Sequence, residues 1–158
     1  MHTLQVKPIG TIRVNEDGIF IEVDTQYVPA LKALEGFSHL NIIWWFSDFD
    51  TEEMRNIHEV PKPYKKSPDT MGIFATRSPV RPNPIALSTV QVIGIDYKKG
   101  IIRIPYIDAN DRSPLLDIKP YTPSLDRIEK PNVPDWCKHW PISAEKSANF
   151  DWSNEFNF

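Results

Sequence analysis

The chain has 158 residues, of which 41% are hydrophobic and 25% are charged, and its formal net charge is −3. This length and composition predict one globular domain with a buried core and argue against a second catalytic domain. No apolar run of about 18 residues occurs, and the first residues lack the apolar core of a signal peptide, so we expect a cytoplasmic protein with no membrane span.

The side chains that form disulfides and metal sites are sparse. Cys137 is the single cysteine, which excludes a disulfide within the chain. The four histidines, His2, His39, His58 and His139, are scattered without the spacing of a metal site. We therefore expect neither zinc nor an iron–sulfur cluster, nor any other metal.

Charge is unevenly distributed along the chain. Residues 1–54 carry three basic and nine acidic side chains, residues 55–103 carry nine and three, and residues 104–158 carry six and nine. The overall negative charge argues mildly against a general nucleic-acid binder, but a local basic field can attract an anionic ligand. The middle segment is therefore either a binding surface or a solvated basic loop around residues 62–66.

The first predicted elements are a hairpin and a short helical turn. Residues 9–14 and 18–23 are rich in β-branched side chains, and the polar segment 15–18 between them is a turn signal. Residues 29–35 are compatible with a short helical turn that ends at Gly36.

Next comes an apolar and aromatic run at residues 40–46, which has the length of a core strand. Side chains alternate between the two faces of a strand, so only one of Trp44 and Trp45 is expected in the core. Residues 48–69 are polar and contain three prolines, which predicts a long loop that is free to move. Whether that loop closes as a lid is left open.

The second half of the chain contains three more strand signals. Residues 89–95 and 101–107 form a predicted pair around the turn 96–100, and residues 115–119 form a further strand. In that strand Asp117 should share a face with Lys119, and Leu116 with Ile118. Several short strands with turn signals favour a mainly β fold, either a barrel or a sandwich.

The segment from residue 131 to residue 158 is rich in aromatic side chains, including three tryptophans and three phenylalanines. Rings at this density are seldom left in water. We therefore place a domain at residues 1–130 and treat residues 131–158 as a C-terminal tail that packs on the domain or on a dimer partner.

Prolines stiffen the segment from residue 72 to residue 87. Pro79, Pro82 and Pro84 hold the residues before them near polyproline II geometry. At three residues per turn, Arg77 and Arg81 then lie on different sides, which suggests different partners. A planar guanidinium suits carboxylates and phosphates.

Four segments of the chain stand in an informative order. The central block is Gly72-Ile-Phe-Ala-Thr-Arg-Ser-Pro-Val-Arg-Pro-Asn-Pro-Ile-Ala-Leu-Ser88. Leu34-Glu-Gly-Phe-Ser-His-Leu40 precedes it, Leu116-Asp-Ile-Lys-Pro-Tyr121 follows it, and Ile9-Gly-Thr-Ile-Arg13 lies near the start. These blocks resemble the TrmO (TsaA-like) family of tRNA methyltransferases, in its short form without an extra C-terminal domain, and the resemblance covers about residues 8–124.

The resemblance implies a single compact β-barrel that binds S-adenosylmethionine, commonly as a homodimer with the cofactor near the subunit contact. It also implies methylation of the exocyclic 6-amino nitrogen of threonylcarbamoyl-adenosine beside the tRNA anticodon. The sequence is compatible with this fold because it lacks the Gly-x-Gly-x-x-Gly turn of a dinucleotide-binding crevice. It departs from the family at Asn110-Asp-Arg-Ser-Pro114, where Asp-Gly-Thr-Pro is usual, and at Ala86, where glycine is common.

The resemblance and the residue chemistry together select the candidate cofactor-binding residues. Phe74 and Ala75 are expected to line the adenine side of the pocket, with Leu87 as an apolar floor, although a core role for Phe74 is also open. Asn83 could contact a base edge or ribose, or support its turn, and His39 is either a core hydrogen-bonding residue or a cofactor contact. The full cofactor set is Phe74, Ala75, Thr76, Arg77, Asn83, Leu87 and His39.

Methyl transfer to a purine amino nitrogen needs a base or a strong acceptor at the N–H, and Asp117 is our candidate. Lys119 is expected on the same face, where it holds Asp117 ionised or binds a ligand carboxylate; the alternative is a surface ion pair. The candidate catalytic residues are Asp117, Lys119 and Arg81, and the candidate substrate-binding residues are Arg81, Lys119 and Tyr121. Tyr121 would stack on a base or close the pocket.

Three functions remain open at this point. The first is the tRNA methyltransferase, the second is a methyltransferase of the same fold that acts on a small molecule or another RNA, and the third is a non-catalytic cofactor-binding regulator.

Overall fold

The computed structural model describes residues 2–158. The described residues divide into two compact units, one comprising residues 2–50 and 83–127 and the other comprising residues 51–82 and 128–158. The domain boundary that the sequence places after residue 130 stays a prediction.

A seven-stranded antiparallel sheet and a short helix belong to unit 1. The strands are β1 Gly10–Asn15, β2 Gly18–Val23, β3 His39–Trp45, β6 Ile85–Gln91, β7 Gly94–Asp96, β8 Ile101–Ile104 and β9 Ser113–Pro120, and the helix is α2 Pro123–Asp126. The strand order across the sheet is β6-β3-β9-β1-β2-β8-β7.

The predicted first hairpin is confirmed. The side chain of Asn15 accepts a hydrogen bond from the backbone N–H of Asp17 at 2.9 Å, which fixes the turn. Gly18 has a φ of 129°, a conformation that favours glycine. Strand β1 then pairs on its other side with β9.

Strand β3 lies between β6 and β9, and its alternation builds the core of unit 1. Leu40 and Ile42 are fully buried and Trp44 is 2% exposed. Trp45 is half-buried on the opposite face, where its indole N–H donates to Asp50 at 2.9 Å. The prediction that only one of the two tryptophans enters the core is confirmed.

The two edge strands of the sheet, β6 and β7, follow one another directly in the chain. The backbone N–H of Val92 donates to Ser38 beside β3, and that of Ile93 donates to Arg103 in β8, both at 2.8 Å. A flat sheet of this width would place its edges about 29 Å apart, whereas the three steps from Gln91 to Gly94 reach about 11 Å. The sheet must therefore curl strongly.

The mainly β fold with few, short helices is confirmed. No ladder joins β6 to β7 within residues 2–158, so the closed barrel is not confirmed. The predicted continuous strand at 89–95 is wrong because the chain leaves one edge after Val92 and joins the other at Ile93. Strand β6 also begins earlier than predicted, at Ile85.

A bulge in β9 shows that the predicted shared face of Leu116 and Ile118 is wrong. Ile43 pairs with Asp117 and Trp44 pairs with Leu115, which leaves Leu116 as the extra residue. Leu115 is fully buried and Ile118 packs on the core, so Leu116 does not share the inward face as predicted.

The predicted helical turn at 29–35 is misplaced. The chain forms a 3₁₀ helix at Thr25–Leu31 that contains Pro29. Its only buried side chain is Leu31, and Ala33 takes a φ of 68°, which ends helical geometry before the predicted stop.

Unit 2 contains short elements where the sequence predicts a loop. Residues 59–61 pair with residues 70–72 as a two-stranded sheet, and a helical turn precedes them. The prediction of a loop without secondary structure over 48–69 is therefore wrong. The elements are α1 Glu52–Arg55, β4 Glu59–Pro61, β5 Thr70–Gly72 and α3 Ala144–Ser147, with 3₁₀ helices at Ile73–Ala75, Asp135–Cys137 and Trp152–Asn154.

The aromatic rings of residues 131–158 pack together around Tyr64. Its ring stacks on Trp136 at a centroid distance of 5.5 Å and meets Trp140 edge-on at 5.0 Å. Trp152 lies 5.2 Å from Trp140. Such pairs stabilise by about 0.5–1.5 kcal/mol each beyond burial, so the tail is an ordered part of unit 2.

Candidate functional site

The outer face of strands β6, β3 and β9 carries many of the predicted site residues. Since Leu40, Ile42 and Trp44 point into the core, the intervening residues of β3 face outward. Two of them, Asn41 and Ile43, are half-buried. We call this surface the β3 face.

Strand pairing sets neighbouring side chains across the β3 face in rows. One row joins Leu87, Ile43 and Asp117, and the next joins Thr89, Asn41 and Lys119. Leu87 is 50% exposed, and strand β3 separates it from the carboxylate of Asp117. The register thus places Leu87, the predicted apolar floor of the pocket, and Asp117, the predicted base, in one row.

Asp117 and Lys119 form an ion pair, with 2.9 Å between the Lys119 Nζ and the Asp117 Oδ2. The predicted shared face is confirmed. The hydrogen bond to this carboxylate, followed by its charge attraction, raises the pKa of Lys119 above its ordinary value. The other oxygen of Asp117 accepts from the backbone N–H of Ile118 at 2.9 Å. Each carboxylate oxygen therefore keeps acceptor capacity for a further donor.

An amide that sequence analysis missed is held firmly beside this pair. The side chain of Asn41 donates to Asp126 at 2.9 Å and accepts from the Thr89 hydroxyl at 2.8 Å. Asp126 in turn accepts from the backbone N–H of Thr122 at 2.7 Å. The outward positions of β3 were a usable signal, because a polar residue there must face away from the core.

His39 and Tyr121 meet at one end of the β3 face. Their ring centroids are 6.2 Å apart in an edge-on arrangement, and the Tyr121 backbone N–H donates to the His39 carbonyl at 3.1 Å. The His39 Nδ1 lies 2.8 Å from the Ser38 hydroxyl. Both rings are half-buried, so His39 is not a fully buried core residue.

The first part of the proline-stiffened block lies in unit 2. Phe74 is 80% exposed within the 3₁₀ helix at Ile73–Ala75, which removes the core role left open for it. Its neighbour Ala75 is also exposed. Thr76 ends the helix, with its hydroxyl donating to the Ile73 carbonyl at 2.8 Å and accepting from the Ser78 N–H at 3.2 Å.

The predicted straight polyproline run is wrong because the chain bends at Thr76, at Pro79 and over residues 81–83. Arg81 helps to hold these bends: its Nη1 donates to the carbonyls of Thr76 at 3.3 Å and of Ser78 at 3.1 Å. Side assignments that assume three residues per turn therefore do not apply to the two arginines.

Asn83 and Pro84 lead the chain into β6 in unit 1. Pro84 is fully buried, whereas Asn83 is exposed. The backbone N–H of Ile85 donates to the Asn83 carbonyl at 2.7 Å, and that of Phe46 donates to the Pro84 carbonyl at 2.8 Å. The Asn83 main chain supports the turn, and its side chain faces solvent.

The predicted site residues thus fall into two groups, one in each unit. Unit 1 holds His39, Asn83, Leu87, Asp117, Lys119 and Tyr121, and unit 2 holds Phe74, Ala75, Thr76, Arg77 and Arg81. The roles assigned to these residues stay predictions.

Neither a metal-binding cluster nor a membrane-spanning helix occurs among residues 2–158. No set of three or more histidine, cysteine, aspartate or glutamate side chains in that range is grouped so that it could hold a metal ion. None of the helices described there is both long enough and apolar enough to cross a membrane.

Residues 3–127 match the family model of the tRNA-methyltransferase O N-terminal domain. The chain belongs to this family. The family assignment that the four sequence segments suggested is therefore confirmed, and the match ends before the aromatic segment of residues 131–158.

Relatives of the chain include S-adenosyl-L-methionine-binding proteins and a tRNA methyltransferase. A probable S-adenosyl-L-methionine-binding protein of Methanocaldococcus jannaschii is 36% identical over 121 residues, which cover 77% of this chain and 94% of that protein. A tRNA (adenine(37)-N6)-methyltransferase of Escherichia coli K12 is 40% identical over 101 residues, which cover 63% of this chain and 42% of that enzyme.

The fold is also similar to that of solved TrmO structures. The crystal structure of TrmO from Pseudomonas aeruginosa superposes with a TM-score of 0.62 at 28% identity, over 83% of this chain and 62% of that one. The chain thus spans about three fifths of the length of the solved TrmO chain that it matches.

Proposed function

We propose that the protein is an S-adenosylmethionine-dependent methyltransferase whose acceptor is the exocyclic 6-amino nitrogen of threonylcarbamoyl-adenosine beside the tRNA anticodon. Family membership and the named relatives support the reaction class. The observation that carries the proposal in the structure is the Asp117–Lys119 pair, exposed on the β3 face.

Two of the residues proposed to hold the methyl donor have side chains of suitable chemistry. A nucleoside sulfonium with an amino-acid tail offers a flat adenine, which suits an exposed aromatic ring such as Phe74, and a carboxylate, which suits the guanidinium of Arg77. The bound donor would supply an activated methyl group. The residues proposed to hold it are Phe74, Ala75, Thr76, Arg77, Asn83, Leu87 and His39.

Asp117 is proposed to accept the proton of the acceptor nitrogen. That nitrogen lies between a purine ring and a carbamoyl carbonyl, so its lone pair is delocalised and the group is a poor nucleophile until its proton leaves. A positioned base typically contributes a factor of about 10² to 10⁴. Because the Lys119 ammonium and the Ile118 N–H each occupy only part of the carboxylate, Asp117 retains lone pairs for this contact.

The remaining substrate contacts are proposed for cationic and aromatic side chains. Lys119 is 61% exposed and would bind the threonyl carboxylate while it keeps its contact with Asp117. Arg81 would use the guanidinium donors that it does not spend on main-chain carbonyls, and Tyr121 would stack on a base. We also propose that the sheet closes as a barrel, that the protein is a cytoplasmic homodimer, and that tRNA is its partner.

The test compares Asp117→Asn with the wild-type protein. Both are incubated with methyl-labelled S-adenosylmethionine and with tRNA that carries or lacks the threonylcarbamoyl group, and the nucleosides are identified by mass spectrometry. We expect the variant to bind the cofactor with unchanged affinity and to lose a factor of about 10² or more in turnover. The control is Asp24→Asn, since Asp24 is exposed in the same unit and its side chain caps no helix.

A second candidate is a non-catalytic S-adenosylmethionine-binding protein, which the M. jannaschii relative's name favours because this chain covers 94% of it. Tight cofactor binding with no label in either tRNA would support that candidate and reject the methyltransferase. Label in tRNA that lacks the threonylcarbamoyl group would instead keep the methyltransferase and change its acceptor.

A further inference from the structure

A cavity of about 670 Å³ lies within unit 2. This volume falls within the range of about 300–1,000 Å³ that is typical of small-molecule sites. Its walls come from the stretch around β4, from residues 76–79 of the proline-stiffened block, and from residues 156–158. Residues 156–158 lie beyond the part of the chain that matches the family model.

Aromatic rings form one side of the cavity. Tyr64 lies 5.8 Å from Phe156, and Phe156 lies 5.2 Å from Phe158, all between ring centroids. The Phe158 ring is 94% exposed, so almost its whole surface is open to a partner. An exposed ring held beside others is a surface on which a flat ligand can stack.

Main-chain hydrogen bonds hold this aromatic side in place. The Lys65 N–H donates to the Glu155 carbonyl at 2.9 Å, and the Asn157 N–H donates to the Pro63 carbonyl at 3.0 Å. The Asn157 side chain adds a bond to the Lys62 carbonyl at 3.0 Å. These bonds fix the main chain on both sides of Phe156 before any ligand arrives, which lowers the chain entropy lost on binding.

The charged side chains of the cavity are cationic. Lys62 and Arg77 are among the twelve described residues that line it, and none of those twelve is an aspartate or a glutamate. Because Arg77 and Thr76 already belong to the proposed cofactor set, Lys62 is the cation left to bind a further anion. The Lys62 Nζ lies 3.6 Å from a carboxylate oxygen of Asp69, whose side chain is 96% exposed. A pair so exposed holds a lysine weakly, so Lys62 can turn toward an anion.

From this combination we propose that the cavity binds one nucleotide of single-stranded RNA, with the base stacked on Phe156 and Phe158 and a phosphate at Lys62. The proposal rests on the proposed function, whose tRNA substrate presents its acceptor in a single-stranded loop. Single-stranded RNA is recognised through bases stacked on aromatic rings and a backbone followed by cations. The cavity would hold a nucleotide that flanks the acceptor.

The test measures RNA and cofactor binding separately on the full chain. Fluorescence anisotropy with labelled hepta-uridylate gives RNA affinity, and isothermal titration gives S-adenosylmethionine affinity. We expect Phe158→Ala to weaken RNA binding by about 5-fold to 150-fold, the range typical for loss of one base–aromatic stack. Lys62→Gln should weaken it and lower the salt slope by about 1. Cofactor affinity should not change in either variant.

Two matched controls lie in the same unit but outside the cavity lining. Ile142→Ala removes an apolar side chain that is 84% exposed, and Lys130→Gln removes an exposed positive charge. Both should bind RNA like the wild-type protein. Equal losses in the controls and the cavity variants would overturn the proposal.

Cross-linking uses the wild-type protein, so its result does not depend on the stability of any variant. Hepta-uridylate with a central 5-iodouridine is irradiated on the wild-type protein, and the linked peptide is found by mass spectrometry. We expect the link at Tyr64 or within residues 156–158, and a link found only elsewhere rejects the site. Loss of cofactor binding in Phe158→Ala with RNA binding intact would also reject it, because the cavity would then be a cofactor site.

The two proposals can fail separately. If the wild-type protein methylates no tRNA but binds RNA in a Phe158-dependent way, the proposed function fails and the cavity assignment stands. If the wild-type protein methylates tRNA and Phe158→Ala leaves both RNA affinity and the KM for tRNA unchanged, the cavity assignment fails and the methyltransferase stands.

Discussion

Arg112 adopts a backbone conformation that suits glycine, with a φ of 67°. The conformation is pinned on both sides, because the Arg112 N–H donates to the Ile12 carbonyl at 2.8 Å and the Ser113 N–H donates to the Asn110 carbonyl at 3.2 Å. The loop therefore cannot relax without losing hydrogen bonds. We expect Arg112→Gly to stabilise the protein.

The size of the gain follows from two opposing contributions. Replacing a residue in the left-handed region by glycine removes a cost of about 1–2 kcal/mol. The glycine also destabilises the folded protein by about 0.5–1 kcal/mol, because it gives the unfolded chain more entropy. The side chain of Arg112 is 80% exposed, and its 3.7 Å contact with Asp111 contributes little. The net gain is about 0.5–1 kcal/mol, which raises the Tm of a chain of this size by about 1–4 °C.

Arg112→Ala is the matched control. It removes the same side chain and the same ion pair but keeps the Cβ that makes the conformation costly. Thermal and urea unfolding of the three proteins should therefore place the glycine variant above both the wild-type protein and the alanine variant. Ala33, which has a φ of 68°, offers a second site for the same change. A glycine variant that melts at or below the alanine variant would refute the backbone explanation.

Two further predictions concern the core and an acidic side chain of unit 1. Leu115→Ala should lower the free energy of unfolding, measured by urea titration, by about 2–5 kcal/mol, because Leu115 is fully buried. The control is Leu125→Ala at an 85% exposed position, which should change the free energy of unfolding by less than about 0.5 kcal/mol. Hydrogen bonds from the Val14 N–H and then from Arg13 lower the pKa of Asp111 below its ordinary value. Asp111 therefore stabilises the fold above the unfolded-state pKa of about 3.9 and loses this effect as the pH falls through the folded-state value. The stability advantage of the wild-type protein over Asp111→Asn should shrink between pH 7 and pH 3, and an advantage of equal size at both pH values would contradict this.

Local signals were enough for much of the sheet. The first hairpin is specified by a four-residue turn between two β-branched runs, and β3 by an apolar run whose two tryptophans divide between the faces. The prediction of β9 had the right central residues and the right shared face for Asp117 and Lys119. Each of these features depends on residues close together in the chain.

The failures have non-local causes. The bulge at Leu116 arises from how β9 pairs with β3, which the alternation of β9 alone cannot show. The short strands β4 and β5 are stable only as a pair, so neither has a pattern of its own over three residues. The start of β6 at Ile85 was missed because three prolines precede it, and prolines are disfavoured inside a strand. Asn41 was missed because its importance depends on partners in two other segments.

The role of Arg81 in the proline-stiffened block follows from its hydrogen-bond partners rather than from the side it would occupy on a regular helix. Arg81 donates to the carbonyls of Thr76 and Ser78, the residues on either side of Arg77. Removing Arg81 therefore loosens the main chain that carries Arg77, so weaker ligand binding in Arg81→Ala does not by itself identify Arg81 as a ligand contact. Arg81→Lys keeps the charge but lacks the planar group that can bridge two carbonyls. Ligand affinity that survives in the lysine variant would assign Arg81 to charge recognition, and affinity lost equally in both variants would assign it to holding the loop.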